Sequence, residues 1–174
     1  MALYNIADLK VNMDLRYSFL LDKAKSYLIS EENTDTPDIT VRVSDESLNK
    51  CVADFKSDKF MPEYEYVLAG SAFYFELLRY SGMMLHSSAV AVDGYAYLFS
   101  ADSGTGKSTH TSLWLKLLGE RAYILKDDKP AIRCTDGKVY AYGTPFSGKN
   151  DINVNARVPL GGICFIERAE ENSI

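Results

Sequence analysis

The sequence predicts an α/β protein with α+β character, organised around a mixed β-sheet, and three observations carry that prediction. A strand-like run, Tyr95–Ser100, leads into a glycine-rich loop and a helical stretch, Lys107–Leu118, after which Arg121–Lys126 again reads as a strand. Strand, loop, helix and strand in this order make a βαβ unit, in which a helical crossover bridges a parallel pair. Two Asp-Gly pairs, Asp93-Gly94 and Asp136-Gly137, each separate two strand-like runs. Such two-residue links favour the hairpin turn in which both central residues take positive φ, so antiparallel pairs are expected as well. With 47% apolar residues, twelve Tyr and eight Phe, the 174-residue chain has the surface for a packed core.

The elements follow in order. Residues 1–60 hold no chemical motif and read as an N-terminal portion of strand and helix, with the core spanning 61–174. Within the first portion, Ile39–Val43 alternates like a half-buried strand after Pro37 and Asp38, and residues 31–37 are polar and loop-like. Tyr64–Tyr80 sets Val67, Leu68, Phe75, Leu77 and Leu78 on a helix that ends near Gly82. Met84–Val92 is the strand before Asp93-Gly94 and is expected to pair antiparallel with Tyr95–Ser100. The helix Lys107–Leu118 has an apolar stripe at Trp114, Leu117 and Leu118 and a glycine cap at Gly119. Ala131–Cys134 and Val139–Tyr142 flank the second Asp-Gly turn, and Gly162–Ile166 is a further strand.

Composition narrows the partners. A net charge of −5 and a pI near 5.1, with the basic residues scattered, argue against a nucleic-acid-binding face. Cys51, Cys134 and Cys164 lie far apart without Cys-x-x-Cys spacing, so each reads as a small buried apolar residue and not as a zinc or disulfide site. Met1–Val11 lacks the basic-then-apolar pattern of a signal peptide. No apolar run approaches the ~20 residues of a membrane span. A cytoplasmic protein without membrane or nucleic-acid partners is expected.

The chemistry lies in the loop. Ala101-Asp-Ser-Gly-Thr-Gly-Lys-Ser108 follows the phosphate-loop (Walker A) pattern G-x-x-x-x-G-K-[ST], with Ala101 in place of the first glycine. Successive backbone N–H groups and the following helix N-terminus present positive potential to phosphate oxygens. Gly104 and Gly106 let the main chain approach without a Cβ in the way. Lys107 supplies a full charge to the β- and γ-phosphates, and Ser108 a hydroxyl to magnesium. The nucleotide site is thus expected at Ser103, Gly104, Thr105, Gly106, Lys107, Ser108 and Thr109, with ATP and Mg2+ as its ligands. Asp127 and Asp128 follow Lys107 by one helix and one strand, which sets them at the same sheet edge as the loop. Two adjacent carboxylates can divide the work of holding magnesium and orienting a phosphate acceptor. His86 lies on the strand beside the loop strand, whereas His110, inside the helix, reads as packing or surface. A basic residue near the γ-phosphate would stabilise charge in transit, and Arg157 or Lys149 could serve.

From Met84 onward the chain resembles the HPr kinase/phosphorylase family. The resemblance rests on Leu85-His86, on Asp102–Ser108 and on Asp127-Asp128, within roughly residues 84–134. The Ser-Gly-Thr-Gly-Lys run and the Asp pair are also similar to ATP-dependent phosphoenolpyruvate carboxykinase, which shares the nucleotide-binding core. The resemblance implies an ATP-dependent kinase that transfers the γ-phosphate to a serine or other hydroxyl. It implies an active site of His86, Lys107, Ser108 and the Asp pair, with Asp127 acting on the acceptor and Asp128 helping Ser108 with magnesium. The acceptor is then a hydroxyl-bearing protein, peptide or small molecule, and a homo-oligomer is compatible with this reading. Three features depart from the family: Ala101, a longer Lys107–Asp127 interval, and the segment Gly143–Arg157, which looks like that of an uncharacterised branch. Relatives continue with more helix beyond the last strand, so a truncated chain is expected. A nucleotide-binding sensor without turnover is the alternative.

Overall fold

The computed structural model describes residues 1–31, 36–147 and 151–171. The chain divides into two compact units, Met1–Met83 with Thr144–Phe146, and Met84–Gly143 with Ser147–Ile174. The division falls after Met83, so the helix placed by sequence at the start of the core belongs to the first unit.

In the first unit, strands β1 (Ala2–Ile6), β2 (Leu9–Asp14), β3 (Leu28–Ser30) and β4 (Ile39–Arg42) form a sheet in the order β3-β1-β2-β4. Helix α1 (Ser18–Ala24) links β2 to β3, and α2 (Asp45–Phe55) and α3 (Met61–Leu77) follow β4. The register sets Val11 opposite Ile39 and Met13 opposite Val41, all four buried, which is the alternation of a sheet with one covered face. Helix α3 packs on β4 and brings the fully buried Phe73 and Leu77. Ser44 caps α2 by accepting the Ser47 N–H at 3.1 Å. The buried Glu65 carboxylate accepts the N–H groups of Arg16 and Tyr17, at 2.9 and 3.1 Å, just ahead of α1. These donors would otherwise have no helical partner. Phe146 lies against Gly70, where an added Cβ would stand 3.1 Å from its ring.

Strand β5 (Gly82–Met84) straddles the division. The second unit then holds β6 (Ser87–Val92), β7 (Tyr95–Ser100), α4 (Lys107–Leu118), β8 (Ala122–Asp127), β9 (Ala131–Thr135), β10 (Lys138–Tyr142) and β11 (Arg157–Phe165). Its strands run in the order β9-β10-β11-β7-β6-β8. Both expected hairpins are present: β6 pairs antiparallel with β7 and β9 with β10, across Asp93-Gly94 and Asp136-Gly137, all four of which have positive φ. The crossover differs from the expected one. β8 pairs with β6 and not with β7, so the helix carries the chain over one intervening strand. β11 pairs parallel with β7 and starts at Arg157, five residues before the run legible in the sequence.

On one face of this sheet, Trp114, Leu115 and Leu118 of α4 pack on Val90, Val92 and Phe99. Leu115 takes the place expected for Leu117, which is 84% exposed. Adjacent helix positions differ by about 100°, so 114, 115 and 118 share a face that 117 cannot join. The opposite face is lined by small residues, Ala89, Ala91, Ala96 and Ala141, with Leu98, Leu125 and Val158. The cysteines are not the buried residues expected: Cys51 is half-buried, and Cys134 and Cys164 are exposed. Cys134 sits opposite the exposed Val139, on the outward face of the β9–β10 hairpin. Among the described residues no helix is long and apolar enough to cross a membrane.

Candidate functional site

Strand direction gathers the site. β7 and β8 run the same way and β6 runs against both, so the ends of β7 and β8 and the start of β6 share one edge. That edge holds the glycine-rich loop after β7, Asp127 and Asp128 at the end of β8, and His86 immediately before β6. Ligands collect outside the carboxyl ends of parallel strands in such sheets.

The loop needs its glycines. Gly104 and Gly106 have φ of 78° and 115°, a region that costs a residue with a Cβ about 1–2 kcal/mol. Ala101 has no positive φ, which explains why a methyl is tolerated where the pattern has its first glycine. Lys107 Nζ donates to the carbonyls of Ala101 at 2.9 Å and Asp102 at 3.3 Å, so the lysine folds back over the base of its own loop. Helix α4 starts at Lys107, with Gly106 as its cap, and its first free N–H groups face the loop. The buried Ser88–Thr111 hydroxyl contact, 2.9 Å, ties the first turns of α4 to β6.

The carboxylates face this helix start. Ser108 Oγ donates to Asp127 Oδ1 at 2.8 Å. Asp128 Oδ1 lies 3.4 Å from His86 Nε2, and its other oxygen 3.3 Å from Lys129 Nζ. Asp128 and Lys129 both have left-handed φ, 72° and 55°. Non-glycine residues held there store backbone strain, which collects at functional sites. A cleft of about 510 Å³ is lined by Ser103, Gly104, Gly106, Lys107, Ser108 and Thr109 from the loop and helix, and by His86, Ser88, Asp127 and Asp128. One hydroxyl and one carboxylate oxygen already in contact suit Mg2+, which takes few protein ligands beside phosphate oxygens and water.

Two of the named residues stand elsewhere. Thr105 does not line the cleft; its N–H donates to the Asp102 carbonyl at 3.2 Å and shapes the turn. Arg157 opens β11, at the far end of that strand from Phe165 and the loop edge, and its guanidinium lies 4.6 Å from the Tyr140 ring centre. The sequence run Gly162–Ile166 left Arg157 in a loop, where it could have reached the phosphates; inclusion in β11 removes that freedom. Lys149 lies outside the described residues. His110 packs, as expected, with Nε2 accepting from Trp114 Nε1 at 3.2 Å and its ring 4.5 Å from that of Phe99.

Other residues reach the site without a sequence signal. The chain 152–154 runs beside β8: Asp127 N–H donates to the Ile152 carbonyl at 2.9 Å and Val154 N–H to the Leu125 carbonyl at 3.0 Å. Between these bonds the fully buried Lys126 donates to Ser147 Oγ at 3.1 Å, which also accepts from Asn153 Nδ2 at 2.6 Å. The backbone of Asp127 is therefore held by the segment that comes after the second glycine-rich stretch. Beyond β11, Arg168 Nη2 donates to the Gly104 carbonyl at 2.7 Å.

Known proteins add little to this geometry. A scan against protein-family models finds no match, and neither does a search of curated proteins. Among solved structures the chain is similar to the Hpr(Ser) kinase/phosphatase from Coxiella burnetii, with 16% identity and a TM-score of 0.36. The match covers 53% of this chain and 64% of that one. A likeness this distant assigns no activity, and the chemistry must come from the residues of this chain.

Proposed function

We propose that the second unit binds ATP and transfers its terminal phosphoryl group to a hydroxyl acceptor. The observation that carries this reading is the meeting, at one sheet edge, of a positive-φ glycine loop ending in Lys107 with the hydrogen-bonded Ser108–Asp127 pair and the His86–Asp128 pair. Backbone N–H groups of the loop, the start of α4 and Lys107 bind the phosphates, since all present positive charge to one place. Ser108 and Asp127 would hold magnesium, whose charge offsets that of the β- and γ-phosphates. Asp128 is the group that takes the acceptor proton, because His86 and Lys129 stand beside its two oxygens and orient it. The acceptor oxygen forms its bond to the γ-phosphorus as the bond to the bridging oxygen breaks, and ADP leaves. This division reverses the one implied by the family resemblance, where Asp127 acts on the acceptor. The Ser108–Asp127 hydrogen bond favours the reversal.

Calorimetry of MgATP binding and transfer of labelled phosphate to a cell lysate test the reading together. Lys107→Ala should weaken ATP binding by about tenfold or more, the worth of a charge-assisted contact. Asp128→Asn should bind MgATP like the parent and lose transfer. Unchanged ATP binding in Lys107→Ala removes the phosphate site from the loop. Tight ATP binding by the parent with no phosphorylated product makes the unit a nucleotide sensor instead.

A further inference from the structure

The acidic and imidazole groups of the site stand on one flank. His86 stands just before β6 and Asp127 and Asp128 at the end of β8, on one side of β7 in the sheet order. On the other side of β7 lies β11, which runs parallel to it and ends at the same edge, with Phe165 opposite Ser100. The Ile166 N–H then donates to the Ser100 carbonyl at 2.8 Å, so the chain leaving β11 stays beside the root of the loop. Two residues later the exposed Arg168 reaches the Gly104 carbonyl. The loop is thus flanked by the Asp127 carboxylate at Ser108 and by a guanidinium at Gly104.

We infer that Arg168 binds the diphosphate portion of the nucleotide, the part that leaves as ADP. This rests on the nucleotide reading above. The transferred group must lie near Asp128 and His86 on the β6–β8 flank, so the phosphates that stay with the nucleoside fall toward the β11 flank. A neutral carbonyl is the weaker partner for a guanidinium. An anionic phosphate oxygen forms a shorter, charge-assisted bond with the same fork of donors. Charge accumulates on the diphosphate as the bond to the terminal group breaks, and a fixed cation there stabilises it.

The test is the affinity of MgATP and MgADP for the parent, Arg168→Gln and Arg168→Lys. Glutamine keeps a donor for the Gly104 carbonyl but has no charge, which separates diphosphate binding from a purely structural bond. Arg168→Gln should weaken ATP and ADP alike by about tenfold or more, and Arg168→Lys should recover most of the loss. Parent-like affinity in Arg168→Gln overturns the inference, because the bond to Gly104 would then be the residue's whole role. Loss confined to ATP also overturns it, since Arg168 would then contact the terminal phosphate. A parent that binds neither nucleotide refutes the underlying reading, and the inference with it.

Discussion

Replacing Gly143 with alanine should displace the segment that holds Asp127. An added Cβ at Gly143 would stand 1.9 Å from the Val154 carbonyl oxygen, 2.9 Å from its carbon and 3.2 Å from the Leu125 carbonyl oxygen. Ordinary contact begins near 3.4 Å, and all three neighbours are backbone, which cannot rotate away. The 152–154 segment must therefore retreat by about 1.5 Å to restore van der Waals contact. Such a shift takes the Val154–Leu125 and Asp127–Ile152 bonds, now 3.0 and 2.9 Å, out of hydrogen-bonding range. With water replacing the lost partners at about 1 kcal/mol per bond, the cost is roughly 2–3 kcal/mol. For a chain of this size that lowers the melting temperature by roughly 4–12 °C. Thermal unfolding followed by circular dichroism measures it. Gly137→Ala is the control, because an added Cβ there meets nothing within 4 Å and only its φ of 73° is unfavourable. It should cost about 1 kcal/mol. Gly143→Ala melting no lower than Gly137→Ala would refute the steric argument. MgATP affinity should fall in Gly143→Ala alone, since only that change frees the Asp127 backbone.

Two further outcomes are expected. Glu65→Ala removes the acceptor of the Arg16 and Tyr17 N–H groups and should destabilise the chain by about 1–3 kcal/mol in urea unfolding; an unchanged midpoint would mean that water serves those donors equally well. The Arg121 guanidinium donates to both carboxylate oxygens of Asp93 and holds its pKa below the ordinary 3.8. A depressed carboxylate contributes stability above its unfolded pKa and loses it as pH falls through the folded one. The stability gap between parent and Asp93→Asn should therefore narrow as pH drops below about 4. A gap that stays constant from neutral pH to pH 3 would show that the pair contributes nothing.

The local turns of this protein and the position of its glycine-rich loop were legible in its sequence. Asp93-Gly94 and Asp136-Gly137 announced their hairpins because few residue pairs tolerate two consecutive positive φ values. Gly104 and Gly106 marked the turn ahead of the helix because positive φ there favours glycine. Strand and helix order then implied that Asp127 and Asp128 would return to the same edge, and they do.

Tertiary structure decided what depends on which strands are neighbours. No local pattern says that β6 lies between β7 and β8, or that β11 pairs parallel with β7. The parallel β11–β7 pairing is why Arg168 arrives at the loop, while the antiparallel β10–β11 pairing sets Arg157 over Tyr140 at the far end of the strand. Equally, nothing in Lys126 signals that its side chain meets Ser147, 21 residues on, where Asn153 also donates, because the pairing of the 152–154 segment with β8, and no local pattern, brings these side chains together. The sequence by itself determined that a glycine-rich loop ending in Lys107-Ser108 lies between a strand and a helix. Strand pairing, which is set by side-chain packing across the whole sheet, decided which distant charges stand around it.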